Sequence, residues 1–196
     1  KALHYGARRF NKPVMVSIED TKDALKLFVI NDKFDSFTGS LSCKGIRFDG
    51  TPVYEQHFTV SVPATDVARV VRMECKAILR GTPRSECVFV AQLNAADGTA
   101  ISRKTVLFEK ERDCRLPDCQ YDFDVTVEGG RASVTVSSDT FARSLFVDSP
   151  LFTGNLTDNF FDLLPGERVT LAGPVQEGTT ADALRESLLL RSVGNI

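Results

Sequence analysis

The sequence predicts an all-β protein with two consecutive β-sandwich domains, preceded by a short helix that remains from a preceding domain. Apolar and polar residues alternate through most of the chain, as they do in strands that bury one face. Glycine, proline and Asn/Asp turns close these segments at the short spacing typical of a sandwich. A charged stretch without periodicity divides the chain. We therefore expect the helix over residues 1–12, the first sandwich over 13–110, a linker over 111–120 and the second sandwich over 121–196.

The first domain begins after a helical stretch that Pro13 stops, since proline cannot continue a helix. In the first predicted strand Val14, Val16 and Ile18 share one face. Residues 67–79 fit helical as well as strand spacing, and we favour a strand that ends in a helical turn. The other predicted strands are 24–31, 38–48, 53–62, 86–93 and 99–108. About seven short strands at this spacing are typical of an immunoglobulin-like sandwich.

The second domain contains the clearest hairpin, in which Gly129-Gly130 supplies the positive φ angles of a tight turn. Strands are predicted over 123–127, 132–136, 140–147, 159–163, 167–172 and 188–193. Pro165-Gly166 predicts a turn that joins 159–163 to 167–172 as a second hairpin. Thr179 and Asp182 resemble a capping box that opens a short helix. This domain is thus also expected to be a small immunoglobulin-like sandwich.

Composition excludes several classes of partner. The chain has 196 residues with a formal net charge of -2, and its acidic and basic residues are interspersed, so no broad positive face is expected to bind nucleic acid. No apolar run approaches the roughly 20 residues that cross a bilayer, so no membrane partner is expected. The densest basic stretch alternates with apolar residues and is interpreted as a solvated face. It comprises Arg69, Arg72, Lys76, Arg80 and Arg84.

Cysteine usage favours a reducing compartment, because five cysteines at uneven spacing form an odd set in a chain of this size. We expect a cytoplasmic location, with a secreted or lysosomal parent enzyme still open. Cys114 and Cys119 have an unusual spacing for half of a zinc site, and His4 and His57 are isolated. We therefore predict no metal and no cofactor.

Catalytic motifs are absent from the sequence. It has no Gly-x-Ser-x-Gly elbow, no phosphate-binding glycine loop and no His-Glu-x-x-His pattern. Asp158, Asp162 and Glu167 are the best candidates for a carboxylate pair of the kind that cleaves glycosides. Alternation, however, places Asp162 opposite the apolar face of its strand, which predicts acids that solvate an outer surface. No catalytic, cofactor-binding or metal-binding residue is predicted.

Aromatic side chains that stack on sugar rings are also scarce, since the chain has no Trp and only three Tyr. Tyr54 and Tyr121 are candidates for such contacts, and we expect both to be ordinary surface or rim residues.

Several landmarks resemble the C-terminal part of glycoside hydrolase family 2 β-mannosidases, in the same order along the chain. They are "KALHYGARRFNKPVMVSIED", "NDKFDSFTGSLSCKGIRFDG", "FVAQLNAADGTAISRKTVLF", "RLPD" and "TDNFFDLLPGERVTL". The resemblance implies a fragment without the catalytic barrel, whose two glutamates include one that follows an asparagine. The chain contains no Asn-Glu pair, so no catalytic residue is carried over, and the fragment itself is predicted to be inactive because it carries no catalytic carboxylate pair.

The resemblance implies a function in structural support. The parent enzyme would remove terminal non-reducing β-D-mannose residues, and these domains would pack on its barrel, with weak glycan contact as a further possibility. The alternatives are a carbohydrate-binding sandwich module and the same region of an exo-β-glucosaminidase. A third, more distant reading is a partner-binding tandem of immunoglobulin-like domains. The sequence does not show the paired disulfide that such domains are expected to contain.

Overall fold

The structure is a computed structural model in which residues 2–195 are described. Backbone proximity divides it into two compact units. The first unit comprises residues 7–47 and 51–115, and the second comprises residues 2–6, 48–50 and 116–195. Each unit contains two antiparallel sheets, which confirms the all-β class.

The helix α1, Ala2–Phe10, precedes the seven strands of the first unit. They are β1 Val14–Asp20, β2 Ala24–Asn31, β3 Phe37–Arg47, β4 Pro52–Val62, β5 Asp66–Glu74, β6 Cys87–Ala95 and β7 Ala100–Leu107. One sheet has the order β1-β2-β5 and the other has the order β4-β3-β6-β7. Side chains from both sheets, including Leu27, Leu41 and Phe89, form one continuous core with no exposed surface at these three positions.

The predicted strand with a helical end is confirmed. After β5 the chain forms the short helix α2, Cys75–Leu79, which ends at Arg80 in the left-handed conformation with φ of 49°. The apolar residues of this segment therefore satisfy both spacings, because the strand uses one part of them and the helix the other. Ile78 is fully buried in the first core.

The second unit contains six strands and a helix, α3, over Ala181–Ser187. The strands are β8 Asp122–Glu128, β9 Arg131–Ser137, β10 Ala142–Asp148, β11 Phe161–Leu163, β12 Arg168–Pro174 and β13 Leu189–Arg191. β8 and β9 form the predicted hairpin, with Gly129 and Gly130 both at positive φ. β12 extends this sheet beside β9, while β10 lies between β11 and β13 in the facing layer.

The predicted hairpin between residues 159–163 and 167–172 is wrong. β11 pairs with β10 and β12 pairs with β9, so the two strands belong to different sheets. The turn itself is confirmed, because Glu167 N donates to Leu164 O at 3.0 Å and Gly166 has a φ of 72°. The turn carries the chain from one layer to the other, which lets Leu163 and Leu171 both become fully buried.

The cap of α3 lies one residue later than predicted. Thr180, and not Thr179, is the N-cap, and its Oγ1 accepts from Ala183 N at 3.2 Å. The third helical position is then Ala183, so Asp182 cannot close a capping box from there. After the helix, β13 covers only part of the predicted 188–193 strand.

Candidate functional site

Asp162 lies in a largely buried ion pair with Arg143. It lies on β11, and its side chain is 10% exposed. Its Oδ2 accepts from Arg143 Nη1 at 2.6 Å, and its Oδ1 accepts from Ser144 N at 2.9 Å. The prediction that Asp162 solvates an outer surface is therefore wrong, since the neighbouring strand β10 supplies the partners that alternation cannot reveal.

The partner residue Ser144 has an unusual backbone conformation. Its φ is 53°, in the left-handed region, and the pairing of β10 with β11 shifts register between Ala142 and Leu145. Such a conformation costs free energy in a non-glycine residue and persists where the surroundings determine it. Here the Asp162 carboxylate stabilises this conformation, because it accepts a hydrogen bond from the Ser144 amide at the bulge.

Asn159 holds the same strand further along, just before the start of β11. Its Oδ1 accepts from Val147 N at 2.9 Å and its Nδ2 donates to Val147 O at 2.7 Å. The side-chain amide therefore substitutes for a strand partner at a position that β11 does not reach. Asn159 is buried, and the sequence predicted it only as the first residue of a strand over 159–163, because its partners on β10 are not visible from local spacing.

The other two carboxylates bind local backbone amides. Asp158 Oδ1 accepts from Asn159 N at 2.8 Å, and Glu167 Oε2 accepts from Leu164 N at 3.1 Å. A glycosidase needs one carboxylate that acts as acid and a second that acts as nucleophile or base across the same sugar. The three acids instead fix a bulge and two turns, which is a structural arrangement.

An aromatic cluster lies beside this segment in the second unit. Phe160 has a φ of 53°, and its ring stacks on Phe146 with centroids 4.8 Å apart. Tyr5, which is buried, lies 6.2 Å from the Phe160 ring. The rings pack on one another, so the cluster holds the start of the chain against the sandwich.

Neither candidate tyrosine presents an open ring for a sugar. Arg80 lies over the Tyr54 ring at 5.5 Å from its centroid, and the Tyr54 hydroxyl donates to Gln56. Tyr121 packs against the core of the second unit, and burial raises the pKa of its hydroxyl to about 12. Both rings are therefore occupied by protein contacts.

The two cysteines considered for zinc do not converge with other ligands. Cys119 is buried, and its thiol donates to Phe141 O at 3.3 Å, while Cys114 is only partly buried. Within residues 2–195 there is no group of three or more histidine, cysteine or acidic residues that could hold a metal ion. No helix in this range is long and apolar enough to cross a bilayer.

The basic stretch has two parts. Arg69, Arg72, Lys76 and Arg80 are exposed, as predicted for a solvated face. Arg84 differs, since its guanidinium donates to Phe108 O at 3.1 Å and to Lys22 O at 2.8 Å. It therefore ties three chain segments together and is unavailable to a ligand.

A cleft of about 460 Å³ lies near Arg84 in the first unit. Its lining includes Asp23, Glu74, Lys76 and the buried Cys75. Burial raises the pKa of the Cys75 thiol, with nearby Asp20 and Asp23 adding to the effect and Arg84 opposing it. A thiol kept protonated is a weak nucleophile, so this cleft does not have the chemistry of a cysteine active site.

Comparisons with known proteins identify both halves of the chain. Residues 23–113 match the family described as the mannosidase Ig/CBM-like domain, and residues 116–196 match an Ig-fold domain family of mannosidases. Beta-mannosidase A from Aspergillus oryzae is 25% identical over 100% of this chain, and that of Aspergillus flavus is 24% identical over the same extent. The chain spans 23% of the length of each of these relatives.

Solved structures show the same fold. The crystal structure of β-D-mannosidase from Dictyoglomus thermophilum matches 98% of this chain with a TM-score of 0.80 and 18% identity, and the match spans 23% of that protein. The exo-chitosanase CsxA from Amycolatopsis orientalis matches 96% of the chain with a TM-score of 0.60 and 19% identity, over 26% of its own length.

Proposed function

Because the chain belongs to the immunoglobulin-like, C-terminal region of glycoside hydrolase family 2 β-mannosidases, we propose that it supports the catalytic domain of a longer β-mannosidase. In this proposal the hydrolysis of terminal β-D-mannosides takes place in that other domain. The chain supplies two stable sandwiches that pack on the catalytic domain and contributes no reacting group.

The extent of the matches carries this proposal. Relatives that match the whole of this chain are more than four times its length, since the matched region is 23% of each. The local structure supports it, because Asp162, whose side chain is 10% exposed, is engaged by Arg143 and Ser144. A carboxylate held in this way stabilises a strand pair and does not face a substrate.

The substrate of the longer polypeptide is tested by a direct comparison. The full-length gene product is assayed with 4-nitrophenyl β-D-mannoside and with 4-nitrophenyl β-D-glucosaminide. We expect a much higher kcat/KM for the mannoside. Preference for the glucosaminide would replace the proposal with an exo-β-glucosaminidase, the class to which the similarity with CsxA points.

A carbohydrate-binding role is the second candidate, and the Ig/CBM-like description of the first matched family favours it. Affinity electrophoresis in gels that contain soluble mannan measures such binding directly. Retardation of the chain relative to a protein without sugar affinity would support a binding module, and equal mobility would leave structural support as the function.

The cytoplasm is the proposed location. Its five cysteines form an odd set at uneven spacing along the chain. Such a set is more usual in reducing compartments than in secreted proteins stabilised by disulfides. Fractionation of the source cells, followed by immunodetection of the full-length protein, tests this location, and recovery from the medium or a lysosomal fraction would contradict it.

A further inference from the structure

The three-stranded sheet of the first unit has apolar residues on both of its faces. Leu25, Leu27 and Val29 point into the core with no exposed surface, so alternation turns Phe28 and Ile30 of the same strand outward. A strand with a nearly continuous apolar run is typical of sheets that are covered on both sides.

The pairing register extends this apolar surface across the sheet. Met15 of β1 pairs with Ile30 of β2, and Ile30 pairs with Val67 of β5. Val67 is 53% exposed, although valine in a strand normally contributes to a buried face. The outward side of this sheet is therefore apolar from one edge to the other at this level, while the exposed Arg69 beside Phe28 makes the next level more polar.

The other sheet of the same unit provides an internal comparison. On its strand β3 the outward residues include Thr38, Ser40 and Lys44, and all three are exposed. On the neighbouring strand β6 the outward residues Val88 and Val90 are apolar, but they are buried, with 0% and 4% exposure. The three-stranded sheet differs because part of the apolar surface on its outward side remains exposed.

Phe34 stands next to this apolar row, in the loop that follows β2, and it is 92% exposed. The loop is firmly held, since Asn31 Nδ2 donates to Asp35 O at 2.8 Å and Thr65 N donates to Lys33 O at 2.9 Å. Its backbone is thus fixed while the Phe34 ring projects outward. A pre-organised aromatic side chain loses little conformational freedom on docking, which is typical of the anchor of an interface.

We propose that this surface is where another domain of the longer polypeptide docks. We name it the Phe34 face, and it comprises Met15, Phe28, Ile30, Phe34 and Val67. The inference rests on the proposed function, and the length of the relatives indicates which domain covers the face. Every relative that matches the whole chain carries more than three quarters of its length outside the matched region, so another domain of the same polypeptide is available to cover the face.

Charge defines the chemistry of the docking partner. Asp32, Asp35 and Asp66 are exposed around the Phe34 end of the face, and Lys33 lies among them. A twofold contact centred on Phe34 would bring these carboxylates onto their own copies, which disfavours a second copy of the chain. The fitting partner has an apolar pocket for the Phe34 ring, bordered by arginine or lysine.

Cysteine labelling tests the proposal. Phe34→Cys is introduced into the chain alone and into the full-length polypeptide, and its reaction with a maleimide is located by peptide mass spectrometry. We expect labelling at position 34 to be at least about tenfold slower in the full-length polypeptide, since docking removes the side chain from solvent. Equal rates in the two proteins would overturn the proposal.

Thermal unfolding gives a second measurement, with Lys33→Ser in the same loop as the matched control. We expect Phe34→Asp to lower the unfolding temperature of the full-length polypeptide and to leave that of the chain alone unchanged, while Lys33→Ser changes neither. An equal loss in both proteins would place Phe34 inside its own domain and contradict docking. Dimers of the chain that Phe34→Asp dissociates would assign the face to a second copy.

These results are independent of the proposed activity. If the full-length polypeptide does not hydrolyse β-mannosides, the function is wrong, yet protection at position 34 would still establish the docking surface. If it hydrolyses them while position 34 labels freely, the function stands and the docking surface is wrong.

Discussion

Asp162 shows at the scale of single residues how a buried acid becomes a structural group. Its carboxylate receives a charged hydrogen bond from Arg143 and a backbone hydrogen bond from Ser144. Hydrogen bonds to charged groups contribute more than neutral ones, and the cost is largest when a buried partner is left unpaired. The energetic role of this acid is therefore local and does not require a substrate.

Replacing Asp162 with Asn should reduce the free energy of unfolding by about 1–3 kcal/mol, because Arg143 loses its charged partner in a mostly buried setting. Urea unfolding of the chain measures this. Asp124→Asn is the matched control, since Asp124 pairs with Arg168 on the surface and should change stability by less than about 0.5 kcal/mol. Equal effects of the two substitutions would contradict the structural role of Asp162.

Cys43 gives the protein a predicted sensitivity to alkaline pH. Burial raises the pKa of its thiol from the ordinary value of 9.0 to about 12. Above pH 9 the unfolded chain releases this proton while the folded chain retains it. The contribution of the thiol to the free energy of unfolding is therefore fully present below pH 9 and is lost as the pH rises toward 12. For one such group the free energy of unfolding falls by about 1.4 kcal/mol per pH unit in this range.

Cys43→Ala should make the decline in unfolding free energy between pH 9 and pH 12 less steep. Leu41→Ala on the same strand is the control, because it also removes a fully buried side chain but carries no titratable group. Denaturant unfolding across this pH range measures both slopes. Identical slopes for Cys43→Ala and the unmodified chain would exclude this thiol as the cause.

At the scale of elements, one side chain holds the loops at the end of β2 in place. Asn31 is fully buried, and its Nδ2 donates to Asp35 O and to Pro63 O, both at 2.8 Å. Its Oδ1 accepts from Lys33 N at 3.2 Å. One amide thus fastens the loop after β2 to the turn that follows β4.

Replacing Asn31 with Ala should cost about 1–3 kcal/mol of unfolding free energy, because the carbonyls of Asp35 and Pro63 lose a donor that is fully buried. Thermal unfolding followed by circular dichroism measures the loss. Asn94→Ala is the comparison, since Asn94 lies half-buried on the outward side of β6 and should change stability by less than about 0.5 kcal/mol. A small effect at Asn31 would show that the loops hold without it.

Elements with a local signal were predictable from sequence. β2 and the Gly129-Gly130 hairpin follow from alternation and from turn chemistry, which act over a few residues. The pairing of β11 with β10 was not predictable, because it depends on which strand lies alongside in the folded chain. For the same reason nothing in the sequence indicated the roles of Asp162 and Asn159, whose partners lie on β10.

The two units together account for the whole molecule as a pair of immunoglobulin-like sandwiches from the C-terminal region of the β-mannosidase family. Their buried polar groups fasten strands and loops, and the candidate acids are engaged within the fold. This architecture fits the function proposed above, in which the chain contributes stability and an interface to a longer enzyme and the reacting groups belong to another domain.

Hydrolysis of 4-nitrophenyl β-D-mannoside by the chain alone, beside the full-length polypeptide at equal molar concentration, tests this claim most directly. The account predicts release of 4-nitrophenol by the full-length polypeptide and no rate above buffer for the chain. Turnover by the chain that disappears in a folded Asp162→Asn variant would contradict it, because that carboxylate would then act on substrate.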